Sequence, residues 1–558
     1  MSEALRARGA SISALRSRVL EQPATVLAGA AMVVSGVLLL RWQGRLTFWR
    51  DEWDFLLHRR GWSLDTFLDP FVEQLLAIPI LIYRVLQTTF GMDSPRPFQI
   101  VAIALFLLSV AMVFVYMRRR VGEWLALAAI LPILFLGPSW DDLLFPFQMA
   151  LFGSVACGIG ALLALERRDR AGDIAAMVLL FASLFFFDLG ICFVAAATLE
   201  IALDRDRWRR AFVVVVPTAL WLLWYAVWGH NADTFISFHN FANAPTYMLD
   251  GLAASLATWV GLGTGVGAEG KLAWGRPLLV VALGLAAWRL YLLRRPSPRL
   301  LATAVLVFGF WFLCALNTNP LAPATAGRYQ YLGIVLMALL VAELARGVRV
   351  RPYAAALLVF AGATAALVNG SALRDAAIGL ADIAQKERGG LAALELAQGQ
   401  VDPAFELTEQ NSGVDYLGIL DAGSYFAAID AHGSPAYTPT ELASAPESAR
   451  VAADMVSAAA LGAGLEPGAA EPGTCIVLAG SGAAPAIVDV PPEGIVLQTS
   501  SAATDVSLRR YASGFPVALG RLPAGRPELL RITADRSSRP WSAQLTGGRV
   551  TACRARPG

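Results

Sequence analysis

Charge is what this chain has least of. Asp, Glu, Lys and Arg make up 16% of its 558 residues, against a hydrophobic fraction of 56%. A soluble protein needs more charge than that to cover its surface. The composition therefore excludes an ordinary soluble domain and reads as a polytopic membrane protein. The formal net charge of +2 gives no hint of a nucleic-acid partner. Cysteine is sparse, with five residues and no CxxC pair or zinc-type spacing. Cys157, Cys192 and Cys314 lie in apolar runs and read as small packing residues. Cys475 and Cys553 lie in the C-terminal tail, where an oxidising compartment would let them form one disulfide. No internal repeat is visible.

Long apolar runs fill the first two thirds of the chain. Arg6, Arg8, Arg16 and Arg18 precede the first, from Ala24 to Leu40. No small-x-small cleavage site follows, so the run reads as an uncleaved span. Further candidates are 98–117, 121–137, 146–165, 211–229, 275–292, 300–317, 329–345 and 352–370. The stretch 173–203 is too long for one crossing and splits into two short helices hinged at Asp188-Leu189-Gly190. The total is about eleven spans.

Arginine placement gives the orientation. Clusters at Arg118–Arg120, at Arg167, Arg168 and Arg170, from Arg205 to Arg210, at Arg294, Arg295 and Arg299, and at Arg346, Arg349 and Arg351 go to the cytoplasm together with residues 1–23. The spans then alternate if 248–264 is an interfacial or re-entrant helix on the outer side. The segment 75–91, with Arg84 in its middle, is treated the same way. This organisation has a membrane domain over 24–370, with a first outer loop at 42–97. A helical and linker region follows over 371–474, then an external, mainly β domain over 475–558 whose short apolar runs alternate with Gly/Pro/Ser turns. The protein is placed in the plasma membrane with its C-terminal domain outside. All four histidines and the acids Asp51, Glu52, Asp54, Asp141 and Asp142 fall on the outer face.

The first outer loop opens with "FWRDEWDFLL", residues 48–57. Asp51 and Asp54 are three apart and share a face if the segment is helical, while Glu52 points elsewhere. The tryptophans suit a helix lying at the interface. Acids beside Arg50, Arg59 and Arg60 also make ordinary interfacial ion pairs. Residues 141–148, "DDLLFPFQ", carry a second acidic pair in the next outer loop. Asp141 and Asp142 fit either a divalent metal, the one cofactor left open, or a helix-start charge before Pro146. Asp188 reads as a helix cap. His230 and His239 read as loop residues.

A first span, a long outer loop opening on a "DE" pair, interfacial helices and an external C-terminal domain resemble the GT-C glycosyltransferases. Among these the pattern is more similar to actinobacterial-type members than to the protein mannosyltransferases. The resemblance covers roughly residues 20–370. It implies sugar transfer from a polyprenyl-phosphate-linked donor to a glycan or lipid acceptor at the outer surface of the bilayer. By this resemblance Asp51 is the catalytic base and Glu52 completes the pair, with Asp54 nearby. A carboxylate within reach of the acceptor hydroxyl takes its proton, and a single displacement inverts the anomeric centre. The leaving lipid phosphate needs cations. Arg328, in "GRYQY" with Tyr329 beside it, is similar to an Arg-Tyr near this point in several GT-C members. A snorkelling anchor explains it equally well. Lys271 and Arg276 are weaker candidates, and Arg84 joins them from the re-entrant segment 75–91.

Competing readings are a transporter or lipid flippase, a silent GT-C-like scaffold, and a glycan polymerase or ligase. The missing repeat and the single acid within an apolar run, Asp188, speak against a transporter.

Overall fold

The computed structural model describes residues 22–232, 234–264, 267–320, 322–467, 472–479, 484–500 and 503–556. Arg6, Arg8, Arg16 and Arg18 lie outside them. The chain divides into two compact units. The first comprises 1–43, 61–83 and 96–378. The second comprises 44–60, 84–95 and 379–558.

The first unit is helical. Among the described residues, seven helices are long and apolar enough to cross a membrane, or eight if the bent pair Glu123–Ile133 and Gly137–Leu143 is one span. The apolar runs at 173–203 and 211–229 become shorter helices, Arg170–Phe186, Leu189–Ala202 and Phe212–Val227. The expected hinge is present: Phe187 is extended, and a new helix starts at Leu189. Asp188 does not cap that helix, because its side chain makes no cap hydrogen bond there. Its carboxylate instead accepts from the Leu75 amide at 3.4 Å.

Helices meet closely where glycine allows it. A Cβ on Gly158 would stand 2.2 Å from the Phe193 ring, so Leu189–Ala202 can lie this near to Met149–Leu165 only with glycine there. At one end of the bundle the arginine clusters share carboxylates. Arg120 pairs with Glu343 and Glu166, Arg299 also reaches Glu166, and Arg346 reaches Glu343. Arg210 is held by Asp173 and Asp204. Arginines far apart in sequence, grouped above by topology alone, are thus brought together by shared carboxylates, of which Glu343 and Asp173 are buried.

In the second unit, four short helices between 409 and 460 lead, among the described residues, into nine strands. These are β1 Gly464–Pro467, β2 Pro472–Ala479, β3 Ala486–Val490, β4 Ile495–Thr499, β5 Thr504–Arg509, β6 Val517–Leu522, β7 Pro527–Arg531, β8 Trp541–Thr546 and β9 Arg549–Ala555. They form two antiparallel sheets, β1-β7-β4-β9-β2 and β3-β8-β5-β6. Burial alternates along β5 and β8, as one-sided packing requires. The sheets begin at Gly464, ahead of the expected Cys475. Cys475 and Cys553 stand opposite each other in register on β2 and β9 and are disulfide-bonded. The helix Glu447–Ala460 is stitched to the strands by buried Asp454, which accepts from the amides of Arg510, Tyr511 and Ala512 at 2.8–2.9 Å.

Helix Ala77–Phe90 passes from the first unit to the second, as does Pro352–Leu396. The latter runs 45 residues without a break, so the amphipathic segment expected after 370 continues the last span.

Candidate functional site

The segment 48–57 contains a seven-residue helix, Asp51–Leu57, in the second unit. Three acids in its first turn face the positive end of the helix dipole. The residue before it, Arg50, has φ 48°. That is a costly backbone for a side chain of this size. Two contacts hold Arg50: a 2.9 Å ion pair with Asp415, and the Trp49 ring 4.3 Å from its guanidinium carbon.

The three carboxylates have different surroundings. Glu52 is completely buried, and its Oε2 accepts from the Trp49 amide at 3.1 Å. Asp54 pairs with Arg59 at 2.9 Å. Asp51, at the first helical position, is half-buried, on the same side as Asp54. The three-residue spacing thus separates them as expected. Trp53 departs from expectation. It is not an interfacial anchor but a fully buried core residue, edge-on to Phe48 and Tyr425. Its indole N–H donates to Glu387 Oε1 at 2.6 Å. Glu387 is itself buried, within charge range of Glu52, and its other oxygen has no hydrogen-bond partner.

Arg84 also lies in the second unit. Its guanidinium donates to Gln87 at 3.0 Å and stands 3.5 Å from His432 Nε2. Burial, Arg84 and nearby Arg60 all push the His432 pKa below its ordinary value.

The remaining candidates belong to the first unit and form their own cluster. Arg328 occupies the first turn of Gly327–Leu344, with its guanidinium 5.5 Å from the Tyr329 ring. Tyr329 packs on Trp311. Arg328 is within charge range of Glu73, Asp141 and Asp142. Lys271 is within charge range of Asp141 and donates to the Thr325 carbonyl at 3.1 Å. Asp142 is fully buried with both carboxylate oxygens unpartnered. The structure therefore gathers Asp141, Asp142, Arg328, Tyr329 and Lys271 within one unit. Among the described residues, no group of three or more His, Cys, Asp or Glu is placed to hold a metal ion. His239 meets Asn243 at 3.0 Å, a contact within its own helix.

Two members of this cluster were not expected from sequence. Glu73 sits in a tight turn closed by mutual backbone hydrogen bonds between Phe71 and Gln74. Val72 in that turn has φ 53°, which is strained for a β-branched residue. Asn317, which ends the helix Pro298–Leu316, donates its side-chain N–H to Glu73 Oε1 at 2.7 Å. Burial raises the pKa of Glu73, against the opposing pull of Asn317 and Arg328. The one sequence signal for Glu73 was an isolated acid just before the apolar segment 75–91.

No family model matches the chain, and no curated protein matches it. Two solved structures of ArnT from Cupriavidus metallidurans are similar to it. One, bound to undecaprenyl phosphate, has a TM-score of 0.45 at 12% identity and covers 74% of this chain and 85% of its own. The other, in the apo state, has a TM-score of 0.44 at 14% identity and covers 74% and 89%. Likenesses of this size decide nothing about activity, and neither supports the actinobacterial-type assignment.

Proposed function

We propose that this membrane protein is a glycosyltransferase of GT-C type, taking a sugar from a polyprenyl-phosphate donor and passing it to a glycan or lipid acceptor on the external face. Asp51 is the base that removes the acceptor hydroxyl's proton as the lipid phosphate leaves. The observation that carries this reading is the division of labour in the loop-1 helix. Glu52 is buried as an internal brace, and Asp54 is tied to Arg59. Asp51 is half-buried, as is Asp54, and stands at the helix start behind a strained Arg50. Arg328, backed by Tyr329 and with Lys271 as a second cation, meets the lipid phosphate, and Arg84 adds a further positive charge. Glu52 supports Asp51 without touching substrate.

The test is sugar transfer by purified protein in lipid nanodiscs supplied with polyprenyl-phosphate sugars. Asp51→Asn is expected to lose about 10²–10⁴-fold in rate, the usual contribution of a general base, while donor binding persists. Full activity in Asp51→Asn sinks the assignment.

A further inference from the structure

The part of the second unit that follows residue 379 is given no task by the proposed reaction, yet it holds the loop-1 helix at both ends. That helix begins in a tight turn, where the Glu52 amide donates to the Trp49 carbonyl at 3.2 Å. Arg50 is the first central residue of the turn, with φ 48° and ψ -115°. Glycine is the usual residue for that backbone. Asp51 is the second central residue, so the turn sets where its carboxylate is presented. A long side chain persists in such a conformation only where its surroundings over-determine it. Asp415 supplies the tie. Its Oδ2 accepts from Arg50 Nη2 at 2.9 Å, and its Oδ1 accepts from the Leu417 amide at 2.9 Å. The Ile419 amide then closes a second turn on the Tyr416 carbonyl at 3.1 Å, and both central residues, Leu417 and Gly418, have positive φ. The Ile419 carbonyl accepts from His58 Nε2 at 3.0 Å, just past the far end of the helix. The segment 415–419 thus grips residues 50 and 58, and between them Trp53 donates to Glu387.

We infer that Asp415 is a positioning residue for sugar transfer: through Arg50 it holds the turn that presents the Asp51 carboxylate to the acceptor hydroxyl. The inference rests on reading Asp51 as the base. The pair is a poor source of stability, because its side chains are 39% and 42% exposed and exposed ion pairs contribute little. What it supplies is geometry. Both Asp415 oxygens are engaged, so the carboxylate cannot turn away from Arg50 without giving up a bond to Leu417 as well. The Trp49 ring lies 4.3 Å from the guanidinium carbon and confines the cation further. A glycine at position 50 would relieve the backbone but could not reach Asp415. A base released from this tie loses rate without losing donor affinity, since the donor phosphate is assigned to other residues.

The experiment uses the full-length protein in nanodiscs, with synthetic polyprenyl-phosphate hexoses and pentoses as donors and cell-envelope extract as acceptor. Rates are counted per donor-binding site, so unfolded protein does not enter them. Asp415→Asn keeps an oxygen for the Leu417 amide and turns an amide N–H group toward Arg50. It is expected to lower kcat by about ten- to a hundredfold, the scale of a small displacement at a reacting group, with the donor KM within about twofold of wild type. Arg50→Gly relieves the turn and removes the tie. It is expected to melt at or above the wild-type temperature while losing the same factor in kcat. Because the two residues act as one tie, the double variant is expected to be no slower than the slower single variant. Wild-type kcat in Asp415→Asn, with Asp51→Asn still inactive, overturns the inference and leaves Asp51 as the base. Losses that multiply in the double variant overturn it too. If Asp415→Asn is not monodisperse, wild-type kcat in Arg50→Gly overturns it. Full activity in Asp51→Asn, or a wild-type protein that transfers no sugar, removes both readings.

Discussion

Glu52 separates a catalytic pair from a single catalytic acid with a brace. Its carboxylate is buried, holds the Trp49 amide and lies in charge range of buried Glu387. Burial, with Glu52 nearby, pushes the Glu387 pKa well above its ordinary value. Glu52→Gln replaces the carboxylate with a neutral amide and keeps an oxygen for Trp49. It is expected to leave folding stability within about 1 kcal/mol of wild type, since neutralising a buried, poorly compensated charge is often neutral or favourable. Transfer activity should stay within about threefold, a change of under ~1 kcal/mol in the barrier. Glu52→Ala is different. It orphans the Trp49 amide, at about 1–3 kcal/mol, and leaves a cavity beneath the helix, for a total of about 2–4 kcal/mol. Thermal unfolding followed by fluorescence, with initial transfer rates on the same preparations, reads both quantities. If Glu52 were itself the base, Glu52→Gln would melt like wild type yet lose about 10²–10⁴ in rate, or about 3–5 kcal/mol of transition-state stabilisation. That combination refutes the brace.

Two further outcomes concern the second unit. The Cys475–Cys553 bond closes a loop with a sequence separation of 78, so replacing both cysteines with serine is expected to cost about 4 kcal/mol through the unfolded chain's added freedom, seen as earlier thermal onset of proteolysis within 464–555. His432 has a folded pKa below its ordinary value of 6.5. The fold therefore favours the neutral ring, and its contribution to stability is complete above that value. It is lost as pH falls below 6.5 toward the depressed folded value. Wild type should lose stability over that window, and His432→Gln should lose less; equal losses in the two proteins contradict the assignment.

What the sequence made legible and what it hid have different physical causes. Spans, the hinge at 187–190 and the alternating strands of the tail each rest on a local pattern: run length, an acid-glycine break, or period-two burial. Such patterns are written in consecutive residues, and the structure repeats them. The face shared by Asp51 and Asp54 is also local, set by helical spacing. Long-range partners were not legible. Trp53 looked like an anchor because tryptophan beside charge at the end of a span usually is one. Its partner, Glu387, lies 334 residues away. Glu73 drew no reading at all, because Asn317, which fixes it, is 244 residues away. Asp188 looked like a cap because it begins a helix, yet its acceptor capacity goes to Leu75, 113 residues earlier. In each case a polar side chain in an apolar setting needed a partner, and nothing local said which. A buried or mid-run acid in such a chain is thus better read as half of a pair whose other half is still to be found. Asp142 extends the argument. It is buried with both oxygens unpartnered, within charge range of Arg328. Replacing a donor to it would add nothing, because it has none. Burial and the neighbouring Asp141 favour its neutral form, against the opposing pull of Arg328.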